Sequence, residues 1–148
     1  MRIFLDTSAL AKRYVEEPGS EELEELFASI ATEVFVSTLA FVEFASAMGR
    51  KLRNKEIEKA KAGEVIRELE EDWFELFVKI PLEDTLAEKA AAIALEYFLK
   101  GADSVHLASA QETGAELFVA SDNKLIRMAQ KIGINSYNPE SGPYRCGQ

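Results

Sequence analysis

Short runs rich in β-branched and aromatic residues alternate with longer stretches of helical apolar spacing along the whole chain. That alternation most restricts the fold, because it calls for parallel strands joined by helices, with both faces of the sheet covered. Arg2 to Leu5 reads as a first short strand ending at Asp6, and a helical pattern follows from Ser8 to Val15, closed by Glu17-Pro18-Gly19. Ser20, with Glu22 to Glu25 behind it, reads as the cap of a helix reaching about Ala31. Glu33 to Ser37 is a second strand, Thr38 opens a helix to about Leu52, and a long charged helix runs from about Lys55 to Trp73. Phe74 to Ile80 contains a third strand stopped by Pro81. Leu82 to Leu99 is an alanine-rich helix ended by Gly101, and Asp103 starts another that stops at Gly114. Glu116 to Ala120 is a fourth strand leading to Ser121-Asp122, a helix follows from about Asn123 to Lys131, and Ile134 to Tyr137 is a short fifth strand. The expected architecture is a three-layer α/β/α fold with a parallel sheet of four to five strands. It forms a single domain over residues 1–148, since no repeat, low-complexity segment or linker divides the chain.

Sheets of this kind place their sites at the carboxyl ends of the strands. Asp6 follows the first strand and Asp122 the fourth, so both are expected at that edge. Taken singly, helix N-capping accounts for Asp6, Asp122 and Asp103. Glu43 is different. It lies in the middle of an apolar helix, Leu39-Ala40-Phe41-Val42-Glu43-Phe44-Ala45-Ser46-Ala47-Met48, and cannot cap it. A carboxylate in such a setting pairs, changes its pKa or binds metal. In a parallel sheet the ends of strands one and four and the helix after strand two can converge. Four carboxylates at one point repel each other, and a divalent cation relieves that.

The rest of the composition narrows the chemistry. The chain has one cysteine, Cys146, and one histidine, His106, which excludes an internal disulfide and a structural zinc site. A bound metal is then held by oxygen ligands, which points to Mg²⁺ or Mn²⁺ at Asp6, Glu43, Asp103 and Asp122. Such an ion can activate water and stabilise the leaving oxygen in phosphodiester hydrolysis without histidine or cysteine. Thr7, Ser8, Ser37 and Ser121 stand beside the carboxylates or at strand ends, as supports for metal-bound water or phosphate, or as turn and cap residues. Net charge is −9, from 17 basic and 26 acidic residues, the opposite of a typical nucleic-acid binder. No apolar run reaches the roughly 18–20 residues that cross a bilayer. With a charge met almost at once after Met1, the expectation is a cytoplasmic protein without membrane association.

Four segments carry a resemblance. Leu5-Asp6-Thr7-Ser8-Ala9-Leu10, Phe41-Val42-Glu43-Phe44-Ala45, Ala102-Asp103-Ser104-Val105-His106-Leu107-Ala108 and Ala120-Ser121-Asp122-Asn123-Lys124-Leu125 resemble, in order, the motifs of PIN-domain ribonucleases. The likeness is nearest to toxins of the VapC type and spans essentially the whole chain. The resemblance implies a PIN-like fold and metal-dependent endoribonuclease activity on structured or single-stranded RNA. It also implies Mg²⁺ or Mn²⁺ held mainly by Asp6 and Asp103, with Glu43 and Asp122 completing the acidic site. For a toxin it further implies a small antitoxin partner, and commonly a homodimer. An RNA-processing nuclease that is not a toxin, and a catalytically silent interaction module of the same fold, are the alternatives. Glu43 speaks against the silent module. A haloacid-dehalogenase-like phosphatase needs an aspartate where Ser8 stands, and Pro81-Leu82-Glu83-Asp84 fits a receiver domain poorly.

The remaining features carry weaker expectations. Arg50 to Lys55 is the densest basic stretch, read as cations at a helix C-terminus or as contacts to RNA phosphates. Lys12 and Arg13, close to Asp6, are candidates for the same contacts. His106 is read as a packed core histidine, the aromatic residues as core, and the charged helix from Glu56 to Trp73 as either a solvated helix or a projecting partner surface.

Overall fold

A computed structural model of the chain describes residues 1–147. Strands β1 (Arg2–Leu5), β2 (Glu33–Ser37), β3 (Phe77–Ile80), β4 (Leu117–Val119) and β5 (Ser136–Tyr137) form one sheet in the order β3-β2-β1-β4-β5. Every pairing is parallel, with Ile3 opposite both Val34 and Leu117. Helices α1 (Thr7–Ala11), α2 (Ser20–Ser29), α3 (Leu39–Arg53), α4 (Lys59–Glu75), α5 (Asp84–Tyr97), α6 (Gly101–Thr113) and α7 (Asn123–Lys131) connect them, and a 3-10 turn spans Pro139–Ser141.

Side-chain alternation along the strands builds two cores. Ile3 and Leu5 of β1 face one way, joined by Val34, Val36, Leu117 and Val119, and pack against Leu10, Leu26, Phe44, Met48, Val65 and Leu69 of α1 to α4. Phe4, Phe35 and Phe118 face the other way, onto Leu86, Ile93, Leu107, Leu125 and Ala129 of α5 to α7. Phe4 and Phe118 stack with ring centroids 5.9 Å apart. Both faces are thus covered, as the near-continuous apolar character of the strands requires.

Four local expectations are corrected. The first helix stops at Ala11 rather than Val15: Lys12, Arg13 and Tyr14 donate to carbonyls three residues back, so the helix tightens and ends. Ser20 is the first helical residue rather than the cap; Gly19, at φ +90°, takes the cap position. A side chain on Gly19 would meet the backbone of Pro139 and Glu140 at 3.0 Å, so only glycine lets the 3-10 turn close over this corner. Gly101 does not end α5. Phe98 does so in a left-handed conformation, and Gly101 opens α6, which places Asp103 inside the first turn of that helix instead of at its cap. The charged helix α4 buries Ala62, Val65 and Leu69 in the core and turns its polar face, together with Phe74, to solvent, so it packs along its length rather than projecting.

Candidate active site

From β1 the chain winds outward to β2 and β3, then crosses to the opposite side for β4 and β5. The direction of winding therefore reverses between β1 and β4, and at such a switch point the loops leaving the carboxyl ends part to open a crevice. The two strand exits are tied together there. Asp6 N–H donates to Val119 O at 3.1 Å, and Ser121 N–H donates to Ser8 Oγ at 2.9 Å. The crevice is a cavity of about 300 Å³ lined by Asp6, Thr7, Ser8, Glu43, Asp103 and Asp122, together with Phe44, Ala47, Arg50 and His106.

Each carboxylate is positioned differently. Asp6 is buried and caps α1: its Oδ1 accepts from Ala9 N–H at 2.9 Å and from Ser8 Oγ at 2.7 Å. Asp122 is exposed and caps α7, accepting from Lys124 N–H at 2.8 Å. Capping and site membership therefore coexist in these two residues. Asp103 is half-buried in the first turn of α6. Glu43 enters from α3, and its Oε1 accepts from Thr7 Oγ1 at 2.6 Å and lies 2.6 Å from His106 Nε2.

These surroundings move Asp6 and Asp103 one way and Glu43 the other. Burial pushes the Asp6 carboxyl above its ordinary value, opposed by His106 and by the hydrogen bonds from Ser8 and Ala9. Burial also pushes Asp103 up, and the negative charges of Asp122 and Glu43 add to it. Glu43 goes the other way. Burial raises it, but the hydrogen bonds from His106 and Thr7 and the positive charge of Arg50 outweigh burial and hold it below its ordinary value.

The donor set fits a hard divalent cation. Its oxygens are carboxylates and hydroxyls, and the repulsion that raises Asp103 is what a dication relieves. No three carboxylate, imidazole or thiolate groups among the described residues converge tightly enough to form a cage by themselves.

The structure brings Asp6, Glu43, Asp103 and Asp122 to one cavity, where Thr7 donates to Glu43 and Ser8 donates to Asp6. Ser121 contributes its backbone N–H; its hydroxyl is buried without a partner among the described residues. Ser37 stands at the same sheet edge but does not line the cavity; its Oγ accepts from Leu39 N–H at the start of α3. The nearby cations fare unequally. Lys12 is buried and donates to Glu140, Glu17 and the Pro18 carbonyl at 2.8, 3.3 and 2.7 Å. Arg13 is held by Asp72 at 2.7 Å and Glu24 at 2.9 Å. Neither reaches the cavity. Arg50 does, with its guanidinium held by a hydrogen bond to Ser46 at 3.0 Å. His106 is the residue that reasoning from sequence placed in the core alone. Its spacing was the available signal: it stands three residues after Asp103, on the same face of a helix, just as Arg50 stands seven after Glu43.

Comparison with known proteins agrees with this fold. The family model of the PIN domain matches residues 3–131. Ribonuclease VapC45 and Ribonuclease VapC49 of Mycobacterium tuberculosis are each 30% identical over 112 residues, covering 76% of this chain and 76% of the relative. Among solved structures, FitAcB from Neisseria gonorrhoeae superposes with a TM-score of 0.71 at 19% identity, over 93% of this chain and 97% of the other. VapC20 of M. tuberculosis, described as a sarcin-ricin loop cleaving toxin, gives 0.68 at 18% identity over 89% and 95%. A toxin-antitoxin complex from Klebsiella pneumoniae gives 0.63 at 19% identity over 93% and 97%. The matched segment runs from β1 to the end of α7 and so takes in every element that carries the carboxylates: the chain belongs to the PIN-domain family.

Proposed function

We infer that this protein is a divalent-metal-dependent endoribonuclease and the toxin of a toxin–antitoxin pair. The observation that carries the reading is the convergence of Asp6, Glu43, Asp103 and Asp122, drawn from four separate helix starts and helix faces, on one cavity at the switch point. The ribonuclease relatives and the toxin neighbours support the substrate class and the toxin role.

Asp6 and Asp103 would hold Mg²⁺ or Mn²⁺, with Glu43 and Asp122 completing the shell directly or through water. When bound, the ion supplies a Lewis acid for the phosphate oxygens and a more acidic water. The chain's own groups do the rest. The cap and Ser8 immobilise Asp6, so its free oxygen faces one direction. Glu43, kept ionised, orients water and accepts its proton. Arg50 meets a backbone phosphate at the rim and offsets the acidic field of a chain with net charge −9. The partners on this reading are RNA, a small antitoxin that covers the cavity, and a second copy of the chain in a homodimer. No helix among the described residues is long and apolar enough to cross a membrane, and the working compartment is the cytoplasm.

The test is cleavage of a panel of structured and single-stranded RNAs with Mg²⁺, Mn²⁺ or EDTA, beside Asp6→Asn. Cleavage that needs metal and vanishes in the variant is the expected result. A well-folded protein that neither cuts RNA nor binds Mn²⁺ overturns the reading in favour of a silent interaction module.

A further inference from the structure

His106 is 2% exposed, and α6 buries every residue from Ser104 to Ala110. Its Nε2 lies 2.6 Å from Glu43 Oε1 and 3.2 Å from Thr7 Oγ1, while Thr7 Oγ1 donates to the same Oε1 at 2.6 Å. The three groups sit on α6, α3 and α1, as many as 99 residues apart in sequence. Nδ1 is buried with no partner among the described residues. This pattern selects a tautomer. A proton on Nδ1 would orphan a buried donor and set the bare Nε2 lone pair against a carboxylate oxygen at 2.6 Å. A proton on Nε2 satisfies both Glu43 and Thr7 and leaves Nδ1 as an unpaired acceptor, the lesser cost. The ring is further held edge-on against Phe4, with centroids 6.3 Å apart at 66°.

A leucine or phenylalanine would fill this space without burying an unpaired nitrogen. The imidazole is therefore explained by its Nε2–H. Asp103 stands one helical turn before His106, Thr7 directly follows Asp6, and Glu43 receives the bond itself. We propose that His106 is a positioning residue: its Nε2–H, shared between Glu43 and Thr7, locks the helices bearing Asp6, Glu43 and Asp103 at the spacing the metal site needs. The lock acts on Oε1 alone, which leaves the other oxygen of Glu43 for the cavity. This inference rests on the metal-nuclease reading and deepens it.

The chain has a single histidine, so an untagged protein labelled with ¹⁵N-histidine reports on His106 alone. In the metal-free protein the spectrum is expected to show Nε2 protonated, with the Nε2 resonance moving in Glu43→Gln. An Nε2 without its proton, or no response to Glu43→Gln, overturns the proposal. His106→Leu keeps the bulk and removes the donor, whereas His106→Gln keeps a donor at similar reach. His106→Leu is expected to weaken Mn²⁺ binding, read by electron paramagnetic resonance, and to lower kcat, each by roughly 10–100-fold, with KM and thermal unfolding little changed; His106→Gln recovers most of both. Values for His106→Leu within about twofold of wild type, or a His106→Gln as impaired as His106→Leu, overturn it. Should His106→Leu fail to fold, His106→Gln decides: near-native Mn²⁺ affinity supports the lock and a loss of about tenfold overturns it. A wild type that binds no Mn²⁺ and cuts no RNA sinks the nuclease reading instead, and the NMR experiment still decides whether the lock exists.

Discussion

The two ends of the sheet carry cavities of opposite character. At the amino edge, Met1, Gln111, Gly114, Glu116, Gly133 and Asn135 border a space of about 620 Å³, twice the volume of the carboxyl-edge crevice at about 300 Å³. The larger space holds one carboxylate, Glu116, which is exposed and bonded to Arg2 N–H at 2.8 Å. The smaller holds four. Helix polarity explains the contrast. In a parallel sheet each crossover leaves the carboxyl edge and returns to the amino edge, so α6 and α7, the helices directly before β4 and β5, deliver their carbonyl ends, at Gly114 and Gly133, to the larger cavity. The smaller receives the positive N-terminal ends of α1, α6 and α7, where Asp6, Asp103 and Asp122 stand. Volume is a poor guide to a site here; the direction of the peptide dipoles decides which end tolerates a cluster of negative charge.

The contrast breaks first at Asp6. Asp6→Asn is expected to reduce RNA cleavage by more than roughly 100-fold, since on the proposed reading it removes a metal ligand and not merely its support. The same variant keeps the helix cap and loses the buried charge, so the metal-free protein should unfold at a higher temperature than wild type. Lost cleavage with lowered stability would mean that Asp6 serves the fold alone.

Arg50→Ala tests whether the crevice meets its substrate with one cation. KM for RNA is expected to rise several-fold with kcat nearly constant, and the slope of log affinity against log salt to fall by about 0.7, the value of one phosphate contact on a single strand. An unchanged slope would remove Arg50 from the substrate path.

The pH dependence should separate the carboxylates from one another. Asp6 and Asp103, whose carboxyls are raised, bind protons more readily in the folded than in the unfolded state. Their contribution is therefore fully present at low pH and lost as pH climbs from the ordinary carboxylate range through the folded values. Glu43, whose carboxyl is lowered, contributes with the opposite sign: its stabilisation is present at neutral pH and lost as pH falls through its folded value. Thermal unfolding of EDTA-treated protein from about pH 4 to about pH 8 should show Asp103→Asn declining less with rising pH than wild type, and Glu43→Gln starting lower at neutral pH. Parallel curves for all three would refute the assigned shifts.

The smallest effect is expected at the other end of the sheet. Glu116→Gln loses an exposed ion pair with Arg2, so cleavage and Mn²⁺ binding should match wild type. A substantial loss of cleavage would show that the amino-edge cavity takes part in function after all.

Much of this was legible in the residues. The alternation of strand and helix, the parallel sheet and the placing of Asp6 and Asp122 at strand exits follow from local pattern, and the structure agrees. Glu43 was legible for a physical reason, because a carboxylate amid Phe41, Val42, Phe44 and Ala45 demands a partner wherever the helix lies. Boundaries were less legible. Gly101 looked like a stop, yet Phe98 supplies the left-handed residue that ends α5, and that depends on how α5 and α6 fold back on each other.

What the residues alone determined is the class of fold and the identity of the acids, since hydrophobic periodicity and the cost of burying charge act over a few neighbours along the chain. The tertiary structure alone decided which polar groups serve those acids. It turned Lys12 and Arg13 away to Glu140 and Asp72, left Arg50 facing the cavity, and brought His106 to Glu43. These partners lie 128, 59 and 63 residues apart in sequence. No local pattern encodes a distance in space between such residues; it is set by the order of strands in the sheet and by which face of each helix the two cores bury.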